Sequence, residues 1–117
     1  VQAIRDRRLL ERLVATRVPL TVCPLSNTKL CVFRDLTEHN LAEMLRLGVC
    51  VTINSDDPAY FGGYINQNFV ETLAALDLTK AELKQLAANS FEASFIADDR
   101  RRAHLARLDD YCRAHGA

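Results

Sequence analysis

The run Val49-Cys50-Val51-Thr52-Ile53 constrains this chain more than any other feature. It is apolar, rich in β-branched residues and without polar alternation. A strand of that kind is expected where both faces are covered, as in a parallel sheet flanked by helices. Gly48 before it is placed to end a helix over about Leu36–Leu47, with Leu41, Met44 and Leu45 inward. After it, Asn54-Ser55-Asp56-Asp57-Pro58 ends the strand in turn-forming residues.

A second short β-prone run, Leu20-Thr21-Val22-Cys23, lies upstream and is ended by Pro24. Before it, Ile4 to Thr16 reads as a helix with Leu9, Leu10, Leu13 and Val14 on one face, stopped by Pro19. The segment Pro24 to Asp35 has no clean period and reads as a loop. After the second strand come helices. Ile65, Phe69, Leu73 and Leu76 form a stripe, and Thr79 with Glu82 reads as a capping box ahead of Leu83, Leu86 and Ala87. Asn89 and Glu92 are placed to cap a further short helix carrying Phe91 and Phe95. From Asp98 a last amphipathic helix uses Leu105, Leu108 and Cys112.

Strands alternating with helices imply a parallel sheet with right-handed crossovers. Two strands do not make such a sheet alone, and a closed (β/α)8 barrel takes ~250 residues, about twice this length. The pattern therefore predicts an α/β fold: the C-terminal part of a (β/α)8 TIM barrel, its last two strands with their helices, within residues 1–97. A helical C-terminal extension over 98–117 is expected to pack on it. Val1 is not a start methionine, so the chain is expected to be part of something longer.

The bulk properties exclude more than they assign. Lys+Arg and Asp+Glu balance at 15 each, so no net field draws in nucleic acid or an acidic membrane. Arg100-Arg101-Arg102 follows Asp98-Asp99 and reads as a solvated helix face. No stretch approaches the ~18 apolar residues needed to span a bilayer. The four cysteines, Cys23, Cys31, Cys50 and Cys112, are irregularly spaced without Cys-x-x-Cys. Cys23 and Cys50, in apolar strand-like runs, read as buried thiols, and a reducing cytoplasm is the expected setting.

Two loops can carry chemistry. Asp56 and Asp57 stand where parallel α/β enzymes place catalytic groups, at the C-terminal end of a covered strand. Alone, the tetrapeptide Ser55-Asp56-Asp57-Pro58 reads as a turn, and its position after the strand is what makes it a candidate site. Two adjacent carboxylates repel unless a cation or a shared proton offsets the repulsion. Neighbouring strand residues point to opposite sides, so both can serve one pocket only if the chain turns at Asp56–Asp57. One is then a candidate metal ligand, the other a candidate hydrogen-bonding group for substrate. The second loop, Cys23-Pro24-Leu25-Ser26-Asn27-Thr28-Lys29-Leu30, follows the preceding strand and would lie beside the first. That makes Ser26 and Asn27 candidates to hydrogen-bond the carboxylates. Lys29 reads as a solvated loop charge. Tyr60, Phe61 and Tyr64 are read as packing their loop against the next helix in preference to stacking on a ligand.

Together, Val22 to Leu30 and Val51 to Pro58 resemble the last two barrel strands of the adenosine/adenine deaminase family. Asn89-Ser90-Phe91-Glu92-Ala93-Ser94-Phe95 is similar to that family's helix after the barrel. Ser26-Asn27-Thr28-Lys29-Leu30 and Ala59-Tyr60-Phe61-Gly62-Gly63-Tyr64 are nearer the adenine deaminase branch. The resemblance implies one Zn2+ per active site, held by three histidines and an aspartate, which corresponds to Asp56. Zinc draws the pKa of a bound water toward ~7. The resemblance also implies that Asp57 hydrogen-bonds the purine at N7. The implied reaction is deamination of adenine to hypoxanthine in purine salvage; adenosine deamination, and a non-catalytic role in folding or association, are the alternatives. The family's His-x-His, its further histidines and its catalytic glutamate have no counterpart here. His39, His104 and His115 read as exposed or helix-end residues. This stretch alone is therefore expected to be inactive. The other zinc deaminase class is disfavoured, because its His-x-Glu and Pro-Cys-x-x-Cys motifs are absent. The expected partner is a small purine, with no nucleic acid or membrane, and self-association is left open.

Overall fold

A computed structural model describes residues 1–116. A 3-10 turn over Gln2–Arg5 leads into α1 (Arg7–Thr16), β1 (Leu20–Val22) and α2 (Pro24–Lys29). A second 3-10 turn, Leu36–Glu38, precedes α3 (Leu41–Arg46) and β2 (Val51–Ile53). Four helices complete the described chain: α4 (Pro58–Phe61), α5 (Ile65–Ala75), α6 (Lys80–Ala93) and α7 (Asp98–Ala114). The strands pair in parallel, Leu20 beside Val51 and Val22 beside Ile53, with α1 before β1 and α2–α3 crossing between the strands.

Local chemistry explains most boundaries. Asp6 breaks the first expected helix, since its carboxylate accepts from the Leu9 amide at 3.0 Å and starts α1 afresh. Gly48, with φ +89°, closes α3 in a Schellman turn: Gly48 N–H donates to Leu45 C=O and Val49 N–H to Met44 C=O, each at 3.0 Å. Those bonds absorb Val49, so β2 starts later than the apolar run does. The capping box forms as expected, with Thr79 N donating to Glu82 at 2.9 Å and Glu82 N to Thr79 Oγ1 at 3.1 Å.

Three expectations are corrected. Pro24 to Lys29 is a helix, not a loop; Pro at its first position lacks only an amide that would go unused there. The helix expected from Leu36 is broken at His39, whose backbone is extended, leaving a 3-10 turn before α3. No new helix starts at Asn89. With no Gly or Pro to stop it, α6 continues to Ala93, and the buried Asn89 amide donates to the Val51 carbonyl at 2.8 Å.

The core joins Val22, Val51 and Ile53 to Leu41, Met44 and Leu86, with Val14, Phe69 and Leu73 packed around them. The opposite strand face is polar. Thr21, Thr52 and Asn54 line a hollow of about 190 Å3 closed by Ser90 and Ser94 at the end of α6. Thr52 and Asn54 stand on that polar face, and the chain leaves the strand after Ile53, three residues before Asp56. Asn54 Nδ2 donates to Thr52 Oγ1 at 2.8 Å and Thr52 Oγ1 to Leu20 C=O at 3.1 Å. Against α6, α7 is held by a stack of His104 on Phe91 (5.1 Å) and a Lys84–Asp109 ion pair (2.7 Å). Among the described residues, no helix is long and apolar enough to cross a membrane.

Candidate active site

Parallel strands with short exits bring their following loops together, and here those loops meet through one bond. Ser26, a buried residue of α2, donates from Oγ to Asp56 Oδ2 at 2.7 Å. Asp56 is a left-handed residue with φ +56°. That conformation is uncommon outside glycine, though tolerated by Asp. The chain thus turns between the two carboxylates, which both reach solvent in this chain.

The two acids are held differently. Ser26 occupies one oxygen of Asp56; among the described residues, no hydrogen bond is made to the other. Asp57 caps α4, its Oδ1 accepting from the Ala59 and Tyr60 amides at 3.1 Å each. Its Oδ2 has no bond among the described residues. Each carboxylate is therefore oriented through one oxygen and offers the other. Cys23 lies beside Asp56; burial first, then the Asp56 charge, push its thiol pKa up, so it stays a neutral neighbour.

Asn27, the other candidate on this loop, makes no hydrogen bond to either carboxylate among the described residues. Its Oδ1 lies 3.0 Å from His39 Nε2. His39 is not the surface residue expected: it is only 3% exposed and tucked against Phe33. Burial is the main cause that lowers its pKa to about 4. The aromatic loop divides as well. Phe61 lines a cleft of about 340 Å3 with Leu25, Lys29 and Gln67. Tyr60 and Tyr64 are 80% and 73% exposed, which corrects the packing role expected of them.

Asn68 escaped the sequence reading. Fully buried on α5, its Oδ1 accepts from Leu25 N at 3.3 Å and its Nδ2 reaches the Gly63 and Tyr64 carbonyls at 3.1 and 3.2 Å. It ties α2 to the turn after α4. The one available signal was a polar residue beside Phe69, on the apolar stripe. Gly63 completes the closure. It has φ +83°, and a Cβ there would stand 2.4 Å from Leu25 Cδ1.

Among the described residues, no three His, Cys, Asp or Glu side chains group closely enough to hold a metal ion. The donors here are the free oxygens of two carboxylates, Asp56 and Asp57: enough to contribute an oxygen ligand to a metal, and not a whole site.

Parallel strand–helix units with two acids beyond the carboxyl end of one strand have the layout of an α/β enzyme's catalytic face. The chain belongs to the adenosine deaminase family, whose model matches residues 1–111. It is 53% identical over 115 residues to an adenine deaminase from Hahella chejuensis, covering 98% of this chain and 34% of that protein. The crystal structure of an adenine deaminase from Arthrobacter aurescens superposes with a TM-score of 0.93 at 43% identity, covering 97% of this chain and 35% of that one. A zinc-bound amidohydrolase from Burkholderia ambifaria shares the fold, with a TM-score of 0.77 at 21% identity over 95% of this chain and 33% of that one. The chain spans about a third of the length of the relatives it matches.

Proposed function

We propose that the complete protein hydrolyses adenine to hypoxanthine and ammonia, and that this chain supplies the last two strands of its barrel with the helical extension from residue 98. The observation that carries this reading is the likeness to adenine deaminases over nearly the whole chain, with the Ser26–Asp56 pair at the strand ends. Asp56 is the metal ligand this chain contributes, through the oxygen that Ser26 leaves free. Zinc suits the reading, since one carboxylate completes a set of nitrogen donors supplied elsewhere. When bound, zinc would supply water activated near neutral pH, with a pKa near ~7.

Ser26 keeps the Asp56 carboxylate facing one way. Asp57 hydrogen-bonds the purine at N7 with the oxygen that does not cap α4, which sets the ring's orientation. Water adds at C6 and ammonia leaves, so one C–O bond replaces one C–N bond. The four free cysteines support a reducing compartment such as the cytoplasm.

Steady-state turnover of adenine and adenosine by the intact protein tests the assignment. Adenine is expected to be the better substrate by kcat/KM. A higher kcat/KM for adenosine would move the protein to the other branch of its family.

A further inference from the structure

His39 is a buried imidazole that the reaction does not use, and its hydrogen bonds define its state. The Leu41 backbone N–H points at Nδ1 from 3.1 Å. A backbone N–H can only donate, so Nδ1 carries no proton and the neutral ring bears its proton on Nε2. That proton is donated to Asn27 Oδ1, 3.0 Å away. An imidazolium would set a second N–H against Leu41 and break the arrangement.

Asn27 adjoins Ser26 on α2. This six-residue helix is too short to hold its own orientation. It is fixed from outside at two points. Asn68 holds Leu25 on the side toward α5. His39 holds Asn27 on the side toward α3. Between those anchors Ser26 delivers its hydroxyl to Asp56.

We propose that His39 is a positioning residue: as the neutral Nε2–H tautomer it pins Asn27, and so holds the turn of α2 that presents Ser26 to the Asp56 carboxylate. Its consequence for activity rests on Asp56 being the metal ligand; its structural content does not.

Two substitutions in the intact protein separate the ring's two bonds. His39→Asn keeps an oxygen near the Leu41 amide but cannot reach Asn27. His39→Gln reaches Asn27 with an amide donor but gives up the acceptor for Leu41. In a crystal structure of His39→Asn, Ser26 Oγ is expected to leave Asp56. At saturating zinc its kcat for adenine should fall ~10-fold, the scale of losing a partner that orients a metal ligand. KM should hold, because neither residue touches the base. His39→Gln should restore both the contact and kcat. If His39→Asn does not fold, Asn27→Ala removes the same bond from the other side and is read in the same way. Nitrogen-15 spectra of the wild-type ring should show the Nε2–H tautomer. A Ser26–Asp56 contact that survives in His39→Asn or in Asn27→Ala, or an Nδ1–H ring in the wild type, overturns the proposal whatever the activity. A wild-type protein that turns over no adenine defeats the functional reading instead, and the Ser26–Asp56 geometry still decides this one.

Discussion

Replacing Ser26 by Ala removes one hydroxyl from a buried position and leaves the backbone of α2 intact. The lost bond, 2.7 Å to a carboxylate oxygen, is charge-assisted. Such bonds contribute ~1.5–3 kcal/mol when both partners are dry. Asp56 is not dry, since its carboxylate reaches solvent in this chain and water can take the vacated place. The stability loss should therefore fall to ~1 kcal/mol or less. The functional loss should be larger, because Ser26 fixes which way the free oxygen faces. Removing a group that orients a metal-binding carboxylate typically costs ~10–100-fold in metal affinity or activity. Zinc affinity of the intact protein is measured by chelator competition, kcat for adenine at saturating zinc, and stability by urea denaturation. Reduced zinc affinity or kcat with nearly wild-type stability is the expected combination. Wild-type zinc affinity and kcat together would refute the idea that Ser26 orients Asp56. A large stability loss would show that the hydroxyl serves folding instead.

Asp57→Asn should keep bound zinc and the α4 cap, since Asn caps helices as well as Asp, while most turnover is lost; metal analysis beside adenine kinetics checks this. Asn89→Ala should destabilise the intact protein by ~1–3 kcal/mol in urea melts, because the buried Val51 carbonyl loses its partner. His39 sets a pH dependence. Its pKa is lowered in the fold from the ordinary 6.5 to about 4. Between those values the unfolded chain binds a proton that the folded chain refuses, so its contribution is complete above pH 6.5 and is lost as pH falls toward 4. The loss is at most ~3 kcal/mol. Urea melts across that range should show a steeper decline for the wild type than for His39→Gln, and equal slopes would contradict the assignment.

What could be read in advance follows the range of the interactions involved. The apolar run through Val51 and Ile53, the Gly48 stop and the Thr79–Glu82 box depend on residues within a turn or two, and each stands as expected. The meeting of Ser26 and Asp56 was legible because loops after adjacent parallel strands must be neighbours. The misses are long-range. Pro24-Leu25-Ser26-Asn27-Thr28-Lys29 has loop composition, and becomes a helix because Pro24 can start one and Asn68 and His39 brace it. His39 stands in the polar stretch Thr37-Glu38-His39-Asn40, and only the fold of the Leu36–Glu38 turn onto α2 buries it. Asn89 has the residue type of a helix cap and serves the sheet instead, a role set by a partner 38 residues away.

If Asp56 binds the metal of a deaminase, the zinc content of the intact Asp56→Ala protein decides the matter. Metal analysis after purification should find the ion lost and adenine turnover gone with it. Wild-type zinc in that variant would show that the ion is held without this carboxylate and that Asp56 is not its ligand.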